Sequence, residues 1–332
     1  MRFLLDAEQR EFAASLNAML TAADTPSVVR DWSRGDHASG RALWRRIAEA
    51  GVFALAVPEA YEGLGPRPVE LAVAFVELGR HAVPGPLVET VTAATLLASL
   101  DDTGPAKRLL PALASGESAA TVAMGTYTLD ADMANVRLAL SARGGGDSSP
   151  TPAPTELRLS PPPGPPAASL DPARRLFPTL PGGALLATDP PLTPALLIAR
   201  LTTAAQALGV GLALLDRTVA HVKRRIQFGV PIGSFQAVKH QLADARIALE
   251  FARPLVLGAA LTMTAEDVAA AKVTACEAAY ATARTALQLH GAIGYTAEYD
   301  LSLWLTKARA LRTAWGSPDE CRDTVLSGGR RW

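Results

Sequence analysis

Several residue types are scarce in this 332-residue chain, and each scarcity excludes a class of protein. Aromatic residues make up 5% of it, and its two cysteines, Cys276 and Cys321, have a spacing that fits neither a disulfide framework nor a metal site. An excess of either charge is also missing, because 32 basic residues balance 32 acidic ones. A neutral chain has no basic surface with which to bind nucleic acid or an anionic membrane.

Long apolar runs are missing too. No uncharged apolar run reaches about 18 residues, the length typical of a membrane helix, so we expect no membrane span. The first residues, MRFLLDAEQREFAASL, carry acidic side chains early instead of the apolar core of a signal peptide. Together with the low cysteine content, this predicts a protein of the reducing cytoplasm.

Apolar residues, alanine above all, are abundant. They make up 49% of the chain, which is enough for a large core, and alanine favours helix. A chain of this length is expected to form two or three packed units. Apolar residues at helical spacing predict helices at 3–22, 40–51, 69–80, 86–100 and 104–115. We therefore interpret residues 1–117 as a helical N-terminal domain.

Residues 118–192 have a different composition. Two segments, Gly144–Thr155 and Pro161–Pro166, are rich in residues that do not sustain a helix, and the first is predicted to be a surface loop or linker. Short apolar segments predict strands at Ala120–Met124, Val136–Ser141, Glu156–Leu159 and Ala184–Ala187. The region is interpreted as a small, reduced β domain.

Residues 193–332 predict an antiparallel bundle of four helices. The first carries apolar residues in alternating steps of four and three from Leu201 to Ile226, which indicates one buried stripe, and Gly229 ends it. The second is expected to begin at Ser234, whose hydroxyl would cap it. The third and fourth are expected at 265–289 and 300–314.

Two stretches of this bundle carry a resemblance to a known family. Residues 225–236 read RIQFGVPIGSFQ and residues 288–296 read QLHGAIGYT. Both are similar to the C-terminal domain of acyl-CoA dehydrogenases. The first resembles a family pattern of an arginine, two residues, Phe-Gly, a short turn and a glutamine on the next helix. The second resembles the family pattern Gln-x-x-Gly-Gly-x-Gly-Tyr-Thr. Weaker similarities lie at 57–65, 75–80 and 109–117.

The resemblance implies a mainly α fold with a helical N-terminal domain, a central β domain and a C-terminal four-helix bundle. Family members usually assemble as dimers or tetramers through that bundle. The order and spacing of the similar segments agree over nearly the whole chain. The implied substrate is an acyl-CoA or a related acyl thioester.

Family members bind FAD at a subunit boundary, where one subunit's middle domain holds the flavin ring and the neighbour's C-terminal domain holds the pyrophosphate and adenine. An arginine neutralises pyrophosphate well, and glycines let backbone amides approach a ligand closely. The alternative is that the arginine is an ordinary helix-end charge and that the glycines only end helices. By resemblance, the residues that would bind FAD here are Arg225, Gln227, Phe228, Phe235, Gln236, Gln288 and Gly291.

The family reaction needs a carboxylate base, usually a desolvated glutamate, to remove the α-proton of the thioester. The two positions that supply this glutamate in relatives correspond to Ala199 and Trp315 here, so no catalytic residue is identified. The neighbouring Gln206 is not an acid either. The middle domain lacks the Thr-Glu-Pro-Gly-Ser-Asp and Trp-Ile-Thr motifs that contact the flavin ring. His290 has no second histidine or cysteine at ligand spacing, and no metal site is predicted.

Three hypotheses remain open. The chain is a subunit of a heteromeric FAD-dependent acyl-CoA dehydrogenase and supplies FAD-binding residues to a catalytic partner. Alternatively, it is a self-sufficient dehydrogenase whose base is Glu298, Asp300 or Asp319. The third hypothesis is a flavin-free protein that binds or rearranges a hydrophobic substrate. Flavin colour separates them, because the chain alone is yellow in the second case only.

Overall fold

A computed structural model describes residues 4–142 and 155–328 of the protein, so most of the predicted Gly144–Thr155 loop lies outside the described residues. All five helices expected before residue 117 are confirmed. A sixth, α2, was missed because nine residues show too little periodicity. The six helices are α1 (Ala7–Thr21), α2 (Thr25–Ser33), α3 (Ala38–Glu49), α4 (Pro68–Arg80), α5 (Leu87–Ala98) and α6 (Thr103–Ala114).

All four predicted strands are confirmed, and two strands of three residues each were missed. The strands are β1 (Ala120–Ala123), β2 (Tyr127–Leu129), β3 (Val136–Ala142), β4 (Thr155–Leu159), β5 (Leu176–Pro178) and β6 (Ala184–Thr188). A four-stranded sheet has the order β1-β3-β4-β6, with β1 parallel to β3 and the other pairs antiparallel. Strands β2 and β5 pair separately. Three residues are too few to show the alternation that identifies a strand from sequence.

The C-terminal part is helical as expected, with one helix more than the four predicted. A short hairpin separates the first two long helices. The elements are α7 (Leu192–Arg224), β7 (Ile226–Gln227), β8 (Val230–Pro231), α8 (Gln236–Thr262), α9 (Ala265–His290), α10 (Leu301–Thr313) and α11 (Pro318–Gly328).

Three details of the predicted bundle were wrong. Helix α7 ends at Arg224, and Ile226 belongs to the hairpin instead of the apolar stripe. Ser234 does not cap α8, because its hydroxyl donates to the carbonyl of Pro231 and Phe235 occupies the N-cap position. Helix α7 also buries more than one stripe, since every residue from 201 to 215 is buried.

By length and composition alone, α7 is apolar enough to cross a membrane. However, 83% of its most apolar 18-residue window is buried within the protein, as is usual for the central helix of a core. Shorter apolar stretches such as α5 do not reach that length.

The described chain divides into two compact units. We call residues 1–29, 69–83 and 200–332 the bundle unit, and residues 30–68 and 84–199 the β unit. In the bundle unit two glycines let α4 and α7 approach closely. A Cβ on Gly79 would lie 2.1 Å from the carbonyl oxygen of Gln206, and one on Gly209 would lie 1.9 Å from that of Val76.

The β unit has a buried polar pair in its core. Trp32 Nε1 donates to Asp130 Oδ1 at 2.9 Å, and the amide of Arg175 donates to the same oxygen at 3.3 Å. Asp130 is fully buried, and its Oδ2 has no hydrogen-bond partner. Burial raises the pKa of this carboxyl group to about 7.

Candidate functional site

The segment 225–236 forms a tight hairpin that leads directly into α8. Its two turn residues, Phe228 and Gly229, have φ values of 53° and 80°. Two consecutive left-handed residues give the turn that suits a two-residue hairpin. Ile226 pairs with Pro231 and Gln227 with Val230, so the positions of these side chains are fixed by a short ladder.

The hairpin presents apolar side chains to solvent. Phe228 is 92% exposed and Ile226 is 62% exposed, while the ring of Phe235 lies edge-on to that of Phe228 at a centroid distance of 6.2 Å. A left-handed conformation at a non-glycine residue costs roughly 1–2 kcal/mol. Exposed aromatic rings held in a strained turn are typical of a surface that contacts another molecule.

Positive charge lies beside these rings. Arg225 is exposed, and among the described residues no carboxylate forms an ion pair with it. The N-terminus of the 27-residue α8 begins at Gln236, and no side chain caps its first amides. A guanidinium group and the free amides of a helix N-terminus are both suited to bind phosphate.

The second motif lies at the C-terminal end of α9. Gln288 is exposed in the last turn, and Gly291 follows the helix with φ 67° and ψ −143°, a conformation that is available mainly to glycine. The amide of Gly291 donates to the carbonyl of Leu287. The motif therefore ends the helix with a sharp turn next to an exposed amide side chain.

A histidine pair brings the two motifs to the same end of the bundle unit. The rings of His221 on α7 and His290 on α9 stack with centroids 4.0 Å apart. His221 lies one turn before Arg225, and its carbonyl accepts the amide of Arg225 at 2.9 Å. His290 lies two residues after Gln288. All the sequence-predicted FAD-binding residues thus lie on this hairpin and this helix end.

Desolvation disfavours the charged form of both imidazoles. Desolvation, followed by the proximity of His290, lowers the pKa of His221 to about 4, and desolvation also lowers the pKa of His290. His290 Nδ1 donates to the carbonyl of Ala286 at 2.8 Å. The pair was missed because the rings come from distant helices. The described residues contain no group of three His, Cys, Asp or Glu side chains that could hold a metal ion.

The two positions that correspond to the family's base hold side chains that cannot accept a proton. Ala199 is a buried methyl group on α7. Trp315 follows α10 in a left-handed turn with φ 58°, and its carbonyl accepts a hydrogen bond from Arg200 Nε at 3.1 Å. The buried Lys272 donates to the next carbonyl, that of Gly316, at 2.6 Å. The turn is therefore firmly held, although none of its own residues from 314 to 317 is an acid.

The base of this family is a buried glutamate, whereas the three acids suggested as a relocated base are exposed or partly exposed. The side chain of Asp319 is 90% exposed and pairs with Arg322 at 2.9 Å. Glu298 is exposed, and Asp300 lies partly exposed at the N-terminus of α10. None of the three therefore lies in a buried site.

Comparisons with known proteins agree with these motifs. The family model for the acyl-CoA dehydrogenase N-terminal domain matches residues 6–117, and the model for the C-terminal domain matches residues 192–328. Acyl-CoA dehydrogenase IpdE2 of Mycolicibacterium smegmatis is 32% identical over 317 residues, which cover 94% of this chain and 96% of the relative. The chain belongs to the acyl-CoA dehydrogenase family. The family assignment made from the sequence motifs is confirmed.

Solved structures of acyl-CoA dehydrogenases share the fold. One chain of the ChsE4–ChsE5 complex from Mycobacterium tuberculosis superposes with a TM-score of 0.86 and 23% identity, and the match covers 100% of both chains. A variant of the Tcur3481–Tcur3483 steroid ACAD (acyl-CoA dehydrogenase) gives a TM-score of 0.81 and 25% identity, covering 96% of this chain and 97% of the other. The predicted mainly α class of this family is confirmed.

Proposed function

We propose that this chain is one subunit of a heteromeric acyl-CoA dehydrogenase and that it supplies FAD-binding residues to a partner that carries the catalytic glutamate. The observation that carries the proposal is a contrast between two sites. The hairpin and the α9 end are complete and exposed, whereas both base positions hold side chains without a carboxylate, Ala199 and Trp315.

The exposed residues fit the ADP portion of FAD. Arg225 has the charge and the geometry to neutralise a pyrophosphate, and the uncapped amides of α8 add to that field. The amides of Gln236 and Gln288 can both donate and accept hydrogen bonds. The ring of Phe228 offers an apolar surface to an adenine or to the partner. FAD, when bound, would accept the hydride that leaves the β-carbon of the thioester.

At the family positions this chain has neither the residues that contact the flavin ring nor the carboxylate that removes the α-proton of the substrate. The middle region lacks the family's two ring-contacting motifs, and the strands found there form only small sheets. A partner with an intact middle domain and a glutamate would supply both. The relatives in the ChsE4–ChsE5 and Tcur3481–Tcur3483 structures are named as pairs of chains, which supports a paired assembly here.

An apolar face on α8 offers a second contact for such a partner. Ile247, Phe251 and Leu255 follow one another at intervals of four residues, and all three are exposed. Side chains at this spacing lie on one face of a helix, and exposed apolar stripes mark association surfaces. We propose that oligomers form through this part of the bundle.

We further propose that the substrate is a bulky acyl thioester. One structural relative is described as a steroid ACAD, and dehydrogenation between the α- and β-carbons is the reaction of the family. In the proposed complex the partner's carboxylate removes the α-proton, and this chain orients the cofactor. No side chain of the present chain needs to accept a proton in that scheme.

The test is the flavin content of the chain with and without its partner. The chain is purified alone and after co-expression with a longer family member that has both flavin-ring motifs and the glutamate. We expect no bound flavin for the chain alone and a yellow complex that oxidises acyl-CoA with an artificial electron acceptor. Arg225→Ala should lower the flavin content of the complex about tenfold or more, because it removes a charge-assisted contact.

Arg224→Ala is the matched control. Arg224 lies next to Arg225 and is also exposed, but its Nε donates to the carbonyl of Ala220 within α7. We expect it to leave flavin binding unchanged. A single chain that binds flavin and turns over an acyl-CoA would overturn the proposal and favour a relocated base. A chain that stays colourless in every combination would favour the flavin-free alternative.

A further inference from the structure

The bundle unit contains a cavity that no part of the proposed flavin site uses. Its volume is about 370 Å³, and it lies between α1, α4, α7 and α8. Most of its wall is apolar, with Ala13, Val73, Leu208 and Val256 among the lining side chains. This size lies within the range of small-molecule pockets, roughly 300–1,000 Å³.

Two polar groups of the cavity wall lack hydrogen-bond partners. Glu77 is 9% exposed, and its Oε2 is buried without any hydrogen bond. Its contact with Arg80 Nε is a long ion pair of 3.9 Å without a hydrogen bond. The Nε of Arg253 is also buried without a hydrogen bond, although the side chain as a whole is 43% exposed and forms a long ion pair with Glu250 at 3.7 Å.

The two atoms without hydrogen bonds have complementary chemistry. Glu77 offers an acceptor and Arg253 offers a donor, and a buried polar atom without a hydrogen bond is unfavourable. Desolvation raises the pKa of Glu77, which reflects the poor solvation of its charge. The third polar side chain of the wall, Arg10, already donates to the carbonyl of Leu5 at 2.5 Å.

We propose that this cavity binds a small lipophilic alcohol, whose hydroxyl group donates to Glu77 and accepts from Arg253. A hydroxyl is both donor and acceptor, so one group of the ligand satisfies both orphan atoms. A ligand ammonium could donate to Glu77, but it has no lone pair with which to accept from Arg253. An aromatic or alicyclic body would fill the apolar part of the wall.

The cavity is distant from the exposed hairpin. Residues 253–257 of α8 lie 17 or more positions beyond Gln236, which corresponds to about 25 Å along the helix axis. Binding there therefore does not require FAD or a partner, and its test is independent of the proposed function.

The probe is 1-naphthol, titrated into the full chain by calorimetry, with 1-methoxynaphthalene as the matched probe that has no O–H donor. We expect 1-naphthol to bind about tenfold or more tightly than the methyl ether, because a hydrogen bond to a charged group is strong. Glu77→Met should remove this preference. Val76→Phe, on a half-buried lining position, should abolish the binding of both probes.

Glu70→Met is the control on the same helix, because Glu70 does not line the cavity and accepts instead from Gln9. It should leave both affinities unchanged. Equal affinity for the two probes, or 1-naphthol binding that survives Val76→Phe, would show that the cavity is not an alcohol site. Thermal melts of each variant establish that it is folded before the titration is interpreted.

Discussion

The imidazole ring of His221 stacks on that of His290 at a centroid distance of 4.0 Å and an interplanar angle of 27°. This contact joins the C-terminal ends of α7 and α9. It holds the start of the hairpin and the turn after α9 at one end of the bundle unit. The ring of Tyr299 also lies near that of His290, at a centroid distance of 5.6 Å.

The first prediction concerns the stability of this pair in acid. The pKa of His221 is lowered from 6.5 to about 4 in the folded protein, so the unfolded chain binds a proton more readily. Its stabilising contribution is present above pH 6.5 and is lost as the pH falls towards 4. His221→Phe keeps a stacked ring that does not titrate. We expect its melting temperature to fall less than that of the wild type between pH 7 and pH 5.

Because His221 is partly exposed, the effect should be modest and reduced by salt. His240→Phe is a suitable control, since this histidine is exposed on α8. An identical acid dependence in the wild type and the His221→Phe variant would contradict the prediction.

The second prediction has the opposite sign and concerns Asp130. Its folded pKa is raised from 3.8 to about 7, so its contribution is fully present below pH 3.8 and is lost as the pH rises through 7. Relative to Asp130→Asn, the wild type should gain roughly 2–3 kcal/mol of unfolding free energy between pH 8 and pH 5. Denaturant unfolding at the two pH values measures this difference. A pH-independent difference between the two proteins would show that Asp130 titrates normally.

The third prediction concerns the contact between α4 and α7. Gly209→Ala places a methyl group 1.9 Å from the backbone carbonyl of Val76, which cannot move without displacing α4. Although alanine favours helix, we expect a loss of about 1–3 kcal/mol or more from overpacking. Gly211→Ala is the control on the same helix. Its closest atom is the flexible end of Leu249, so its loss should be smaller.

The fourth prediction separates stability from binding at Phe228. Phe228→Gly relieves the left-handed conformation at this residue, so the melting temperature should stay equal or rise. The same change removes the exposed ring, and the flavin content of the proposed complex should fall. Leu326→Ala is the control. It removes another exposed apolar side chain, far along the chain, and alanine is compatible with the helix α11 in which Leu326 lies. A Phe228→Gly complex with full flavin content would show that the ring has no role in binding.

Much of the architecture could be predicted from the sequence, because it depends on local patterns. Helical spacing of apolar residues predicted α1 with an error of a few residues, and a short apolar segment predicted β3. The motifs at 225–236 and 288–296 identified the family, which the comparisons confirm. The division into domains at 1–117, 118–192 and 193–332 and the roles of the individual FAD-binding residues stay predictions.

Other features depended on contacts between residues that are distant in the sequence, and no local pattern encodes such contacts. The spacing of apolar residues on α7 predicted one buried stripe. In the folded protein, however, every residue from 201 to 215 is buried, whichever side of the helix it lies on. The stacking of His221 on His290 and the buried Glu77 oxygen without a hydrogen bond have the same origin. The sequence by itself thus determined most of the helices, the family and the absence of a carboxylate at 199 and 315. Only tertiary packing decided which polar groups are buried, because burial and desolvation depend on the neighbours that the fold provides.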